Sequence, residues 1–195
     1  MRRMSNKIVH TKEPALEHER QTRNAWRPMP MIRLIVSDID GVWTDGRIGY
    51  VEDHAEIKQF NVRDGLGVKL AQKSGIVVAV LTSRRSAAVT RRCQELGIEE
   101  VIQGAHDKHR ELLDLAQRLQ VPLSDVCYVG DDLPDIAPMK ACGMSAAPRD
   151  AVSEVLDVAT LRLATDGGHG ALRELVERVL KSEGRWTSAI DGFLP

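Results

Sequence analysis

From about residue 31 to residue 181, short apolar runs rich in β-branched residues alternate with stretches of helical period. The runs Ile32 to Ser37, Ile76 to Leu81, Val101 to Gln103, Asp125 to Val129 and Met144 to Ala146 are read as strands. Helical periodicity follows at about Gly65 to Lys73, closed by Ser74-Gly75, at Ser86 to Leu96, closed by Gly97, and at Lys108 to Leu119, stopped before Pro122. Such alternation is the pattern of parallel βαβ units, so the expected class is α/β: a doubly wound, mainly parallel Rossmann-like sheet with helices on both faces. One stretch breaks the pattern. Ile48 to Val51 and Glu56 to Phe60 look like two strands joined through Glu52-Asp53-His54, a hairpin inserted after the first strand.

The two ends differ from this middle. Met1 to Arg27 is polar and basic and has no apolar core of a secretory signal. Residues 1–30 are expected to be a disordered extension, with Met1, Met4, Met29 and Met31 all open as the true start. Ser182 to Pro195 mixes Gly, Ser, Trp186 and Phe193 without period and is expected to be a mobile tail, leaving residues 31–181 as one catalytic domain.

Composition changes the picture only at the margins. A chain of 195 residues with 43% hydrophobic content can bury one sizeable core. Its 27 Lys+Arg balance 28 Asp+Glu, so no global field favours nucleic acid or an anionic membrane, and neither is expected as a partner. Cys93, Cys127 and Cys142 form no CxxC pair and read as reduced, largely buried thiols of a cytoplasmic protein. No apolar run approaches the roughly 20 residues of a membrane span.

The chemistry lies at the carboxyl ends of the strands, where open parallel sheets bind ligands. The first strand runs into Ser37-Asp38-Ile39-Asp40-Gly41, which puts two carboxylates in the crevice. They repel unless a cation lies between them or one keeps its proton. Asp and Gly also form ordinary turns after strands, so this motif alone decides little. The strand at Ile76 to Leu81 leads into Thr82-Ser83-Arg84, a hydroxyl and backbone N–H groups suited to a phosphate oxygen or to a plain helix cap. Lys108 opens a helix, where a cation opposes the dipole and points to a local anion. Finally Gly130-Asp131-Asp132-Leu133-Pro134-Asp135 follows an apolar strand with three acids, hard oxygen ligands that suit Mg²⁺. Each piece has a bland explanation; four of them in this order, each at a strand end, share none.

The ordered set Asp38-x-Asp40, Thr82, Lys108 and Gly130-Asp131-Asp132-x-x-Asp135 resembles the four motifs of the haloacid dehalogenase superfamily. The runs Asp38 to Gly46, Phe60-Asn61-Val62-Arg63-Asp64-Gly65, Gly130 to Leu133 and Gly167 to Glu174 are similar to segments of the 3-deoxy-D-manno-octulosonate 8-phosphate phosphatases. The resemblance covers about Met31 to Lys181. It implies a Mg²⁺-dependent phosphatase in which Asp38 is the nucleophile, Asp40 the acid and base, and Thr82 and Lys108 bind phosphoryl oxygens. The metal ligands it implies are Asp38, the Asp40 carbonyl and Asp131, with Asp132 and Asp135 behind them. It carries substrate contacts onto Asp40, Asn61, Val62, Arg63, Asp64, Gly65, Lys69, Arg84, Arg92 and Lys108, a basic set suited to a sugar acid phosphate. Some relatives have Arg where this chain has Lys69. Too few residues separate Asp38 from Thr82 for a cap domain, and in capless relatives the hairpins of four subunits associate, so a homotetramer is the expected assembly. A phosphatase for a nine-carbon sialic-type acid phosphate and an accessory subunit of a carboxylase or sugar-nucleotide enzyme are the alternative readings. A phospho-acceptor signalling domain fits less well, because Asp40 would discharge its acyl phosphate.

Overall fold

The computed structural model describes residues 31–51 and 56–194, and its centre is strand β1, Leu34–Ser37, whose four residues are all buried. Leu34 and Val36 face one core, with Leu112, Leu115, Tyr128 and Met139, while Ile35 faces a second, with Val68, Cys93 and Val176. A strand covered on both faces reads as an unbroken apolar run, which is why β1 was legible. It pairs in parallel with β4 (Val77–Thr82) and β6 (Val126–Val129). Beyond β4 lies β5 (Glu100–Gln103); beyond β6 lie β7 (Met144–Ala147) and β8 (Leu161–Arg162), giving a six-stranded parallel sheet ordered β5-β4-β1-β6-β7-β8. The winding direction reverses at β1, so the crevice of an open α/β sheet opens at its carboxyl end.

Helices α1 (Val62–Lys73), α2 (Ala87–Leu96), α6 (Ala171–Ser182) and α7 (Trp186–Ile190) supply the core on one face. On the other lie α3 (Lys108–Arg118), α4 (Ile136–Ala141) and α5 (Ser153–Val158). The doubly wound α/β fold is therefore as expected, with element ends displaced by a residue or two. Helix α1 starts earlier than its period implied. Asn61 caps it by accepting from the Arg63 N–H at 2.9 Å, an Asx cap that the polar run Asn61 to Asp64 disguised as loop.

The carboxyl-terminal segment corrects the expectation of a mobile tail. It folds into α7 and a 3₁₀ turn, Asp191–Phe193. Arg185 donates to the Ser74 and Ile32 carbonyls, Lys73 donates to the Ala189 carbonyl, and the Trp186 ring lies 5.5 Å from both the Arg173 and Lys181 cations. A helix of five residues is too short to show a period.

The hairpin is present as β2 (Gly49–Tyr50) antiparallel to β3 (Glu56–Ile57), with two residues per strand where four and five were read. Its connection through Glu52-Asp53-His54 and the extension of residues 1–30 lie outside the described residues. Phe60 is not on the exposed face with Ile57; it turns inward against Trp43, edge to face at 6.5 Å.

Candidate active site

Asp38 follows the last residue of β1, and its N–H still donates to the Val129 carbonyl at 3.0 Å, so the sheet itself fixes it in place. Ile39 then turns the chain, its carbonyl accepting from the N–H groups of Val42, Trp43 and Thr44. Lys108, the first residue of α3, is 5% exposed and brings its ammonium 3.0 Å from Asp38 Oδ2 and 2.7 Å from Asp135 Oδ1. Those carboxylates are the anions that a lysine at a helix start implied. Burial would pull Lys108 down, but Asp38 and then Asp135 hold it above the ordinary lysine value. Burial pushes Asp38 up to about 6 against the opposing pull of Lys108.

Asp135, fully buried, is saturated. It accepts from Lys108, from the Tyr128 hydroxyl at 2.8 Å and from the Asp131 N–H at 3.1 Å. Two glycines make this possible. A Cβ on Gly130 would lie 2.3 Å from Asp135 Cγ, and one on Gly41, at φ +83°, would lie 1.9 Å from Asp131 Oδ2. The glycines of the DxDG and GDD motifs are therefore the space into which the carboxylates fold.

Oxygens of Asp38, Asp131 and Asp135 lie within 4.8 Å of one another. Because Asp135 is already occupied, the atoms left over are Asp38 Oδ1 and Asp131 Oδ1, both buried and without a hydrogen-bond partner among the described residues. Burial, then the negative charges of Asp38 and Asp135, raise Asp131 to about 8. Unpartnered hard oxygens in an acidic pocket fit Mg²⁺.

Asp40 is held differently. Its Oδ1 is in ion-pair contact with the ammonium of Lys58, from the strand side of the hairpin, and Arg84 Nε lies 3.7 Å from its Oδ2. Glu56 completes this group, 2.9 Å from Arg84 and 3.5 Å from Lys58. The bond to Glu56 raises Arg84; Glu56 is lowered despite its burial, with the Arg84 bond and the Lys58 charge beside it. Lys58 and Glu56 were missed in the sequence, as was Tyr128. The signal for the first two was the alternation Glu56-Ile57-Lys58, which sets both charges on the face opposite Ile57.

Asp38, Asp40, Thr82, Arg84, Lys108 and Asp131 line one cleft of about 230 Å³, together with Asp132 and Asp135. Thr82 ends β4, but α2 begins only at Ala87, so the N–H groups of Ser83 and Arg84 belong to a loop and not to a helix start. Asn61, Val62, Arg63, Asp64, Gly65, Lys69 and Arg92 do not line this cleft. Arg63 borders a separate, larger groove of about 520 Å³ beside α6, which contains none of the cleft's carboxylates. Lys69 donates to the Leu96 carbonyl at 2.6 Å, Gly65 makes room for the Arg92 guanidinium, and Val62 is 80% exposed. Asp64 is 1% exposed and accepts from the Arg173 N–H at 2.7 Å, which makes it a cap on the start of α6. Burial raises it to about 6. The Gly167 to Glu174 segment is also structural: Gly168 donates to the Val42 carbonyl, and a Cβ on Gly167 would meet the Gly41 carbonyl at 2.0 Å.

A parallel sheet with five acids and a lysine beyond its strand ends defines a phosphotransfer site of the haloacid dehalogenase kind. A family model for haloacid dehalogenase-like hydrolases matches residues 67–143. The 3-deoxy-D-manno-octulosonate 8-phosphate phosphatase KdsC of Haemophilus influenzae is 39% identical over 166 residues, covering 84% of this chain and 92% of that protein. The enzyme of that name from Escherichia coli K12 is 39% identical over 158 residues, covering 81% and 84%. Among solved structures, the 3-deoxy-D-manno-octulosonate 8-phosphate phosphatase of Moraxella catarrhalis, in complex with magnesium, phosphate and KDO, has a TM-score of 0.83 at 37% identity over 86% of this chain and 97% of that one. The chain belongs to the haloacid dehalogenase-like hydrolases and, within them, to the family of these octulosonate phosphatases. It is a phosphoric monoester hydrolase.

Proposed function

We propose that the protein hydrolyses 3-deoxy-D-manno-octulosonate 8-phosphate to the free sugar acid and phosphate, a step toward lipopolysaccharide. The observation that carries the reading is the arrangement of two carboxylates at one strand end with separate cationic partners: Asp38 against Lys108, Asp40 against Lys58. The relatives' named substrate supplies the sugar acid.

In this mechanism an Asp38 oxygen attacks phosphorus, forming an aspartyl-phosphate as the phosphorus–oxygen bond to the sugar breaks. Asp40 gives its proton to the departing sugar oxygen. A water then attacks the same phosphorus and Asp40 takes its proton. The Asp38–phosphorus bond breaks, phosphate leaves, and both carboxylates return to their starting states. Lys108 and Thr82 bind phosphoryl oxygens, and Arg84 meets the sugar acid. Asp38, the Asp40 carbonyl and Asp131 would hold Mg²⁺, with Asp132 and Asp135 behind them. When bound, the metal lets anionic carboxylate approach anionic phosphate.

The cleft is open, and the hairpin beside it exposes Ile48, Tyr50, Val51 and Ile57. An apolar hairpin of this kind is an interface. In a homotetramer Asn61, Val62 and Arg63 at the start of α1, with Lys69 and Arg92, face a neighbour's cleft and supply the remaining sugar contacts, while the buried Asp64 and Gly65 support them from behind. The test is phosphate release from a panel of phosphorylated sugar acids, eight- and nine-carbon, with and without Mg²⁺. Preference for the eight-carbon acid supports the reading; preference for the nine-carbon acid, or no release from either, overturns it.

A further inference from the structure

Among the described residues of the hairpin, Lys58 is the most enclosed charge. Its side chain is 1% exposed, although it follows a two-residue strand whose next inward neighbour, Glu56, is still 12% exposed. A buried ammonium persists only where anions meet it, and here Asp40 and Glu56 do. Lys108 does not duplicate it, being engaged by Asp38 and Asp135. Arg84 does not either: it is 42% exposed, 3.7 Å from Asp40, and tied to Glu56 at 2.9 Å. Asp40 Oδ1 is thus occupied, and Oδ2 is buried without a hydrogen-bond partner among the described residues.

We propose that Lys58 is a positioning residue for the acid–base carboxylate: anchored in the inward face of the hairpin, it clamps Asp40 Oδ1 and leaves Oδ2 as the oxygen that exchanges the proton. The inference rests on the acid–base reading of Asp40. The clamp explains how one carboxylate serves two half-reactions in place, first donating to the sugar oxygen and then accepting from water, without swinging toward Lys108 or the metal ligands. It also gives the hairpin a role inside its own subunit, distinct from the role of its outward face.

The test compares Lys58→Met, Lys58→Arg and Asp40→Asn with the parent enzyme on a sugar acid phosphate and on p-nitrophenyl phosphate, whose leaving group needs no proton. Lys58→Met is expected to lower steady-state kcat by about 10- to 100-fold, part of the roughly 10²–10⁴ that a placed acid–base group contributes, with KM nearly unchanged. It should keep a first-turnover burst of nitrophenolate, because attack by Asp38 on that ester is independent of Asp40. Lys58→Arg should recover most of the lost rate. Parent-like kcat in Lys58→Met, or equal loss of burst and steady state, overturns the proposal. If Asp40→Asn slows with a burst while Lys58→Met does not slow, the clamp alone fails; if Asp40→Asn turns over at the parent rate, the acid–base reading fails with it. Should Lys58→Met not fold, Lys58→Gln carries the same comparison.

Discussion

Asp38 and Asp40 stand two residues apart, and the protein secures them by unlike means. Asp38 belongs to the floor of the sheet: a β1–β6 hydrogen bond, a lysine from α3 and a saturated Asp135 hold it. Asp40 belongs to the lip, where its clamp comes from an inserted hairpin of two-residue strands. The floor follows from the fold itself, since any doubly wound sheet must end its central strands together. The lip depends on an insertion that reaches Asp40 through one salt-bridged group. The attacking carboxylate is therefore as rigid as the core, whereas proton transfer rests on a part that can vary without unfolding the sheet.

The largest effect should come from the floor. Asp38→Asn is expected to abolish phosphate release, by more than about 10⁴-fold, with the circular dichroism spectrum unchanged because Lys108 keeps Asp135. Appreciable turnover would remove Asp38 as nucleophile. Next, Asp131→Ala should lose roughly 10³-fold at ordinary Mg²⁺, the several kcal/mol a metal supplies, and chelation should stop the parent enzyme until Mg²⁺ is returned. Full activity after exhaustive chelation contradicts this.

The lip should respond more gently. Ile57→Asp, on the outward face, is expected to dissociate the oligomer in light scattering and to raise KM for the sugar substrate about tenfold, the effect of roughly 1.4 kcal/mol of lost contact. Activity on an aryl phosphate should suffer less, since Asp38 and Lys58 stay in one subunit. A parent protein that is monomeric and fully active would show that no neighbour is needed.

The smallest effect is a slope. Metal-free, folded Asp131 is raised to about 8 from an ordinary 3.8, so the folded state holds an extra proton between those values and metal-free stability falls as pH rises through that window. Mg²⁺ needs the ionised form. The rise in Tm on adding Mg²⁺ should therefore be larger at pH 8 than at pH 5, at about 2–4 °C per kcal/mol of stabilisation for a chain of this size. A rise independent of pH would mean that Asp131 is not where the metal binds.

The strand ends of the floor, the hairpin and Asp40 were legible in the sequence; the ion pairs that join hairpin to Asp40 were not, for physical reasons. β1, β4 and β6 are buried on both faces and so appear as apolar runs, and the acids that end them stand out against that background. Lys58 reads as one more solvated lysine, because nothing nearby in the chain announces a carboxylate 18 residues earlier. Tyr128 reads as core until its hydroxyl is seen at Asp135. Asp64 has the look of a surface group in a polar run, yet it caps a helix 109 residues away. β8 and α7 are too short for any period to emerge. What escaped was long in sequence separation or short in length.

The alternation along β3 makes the hairpin a matter of parity. Glu56 and Lys58 turn toward Asp40 and Arg84 while Ile57 turns outward, and both sets of contacts are read from one backbone. Inserting or deleting a single residue between Glu56 and Lys58 would part the two charges, turning one of them away from Asp40 and toward the neighbour. A change of two residues would restore both at once. Length changes between Glu56 and Lys58 should accordingly come in even steps, a constraint that the helices around them do not share.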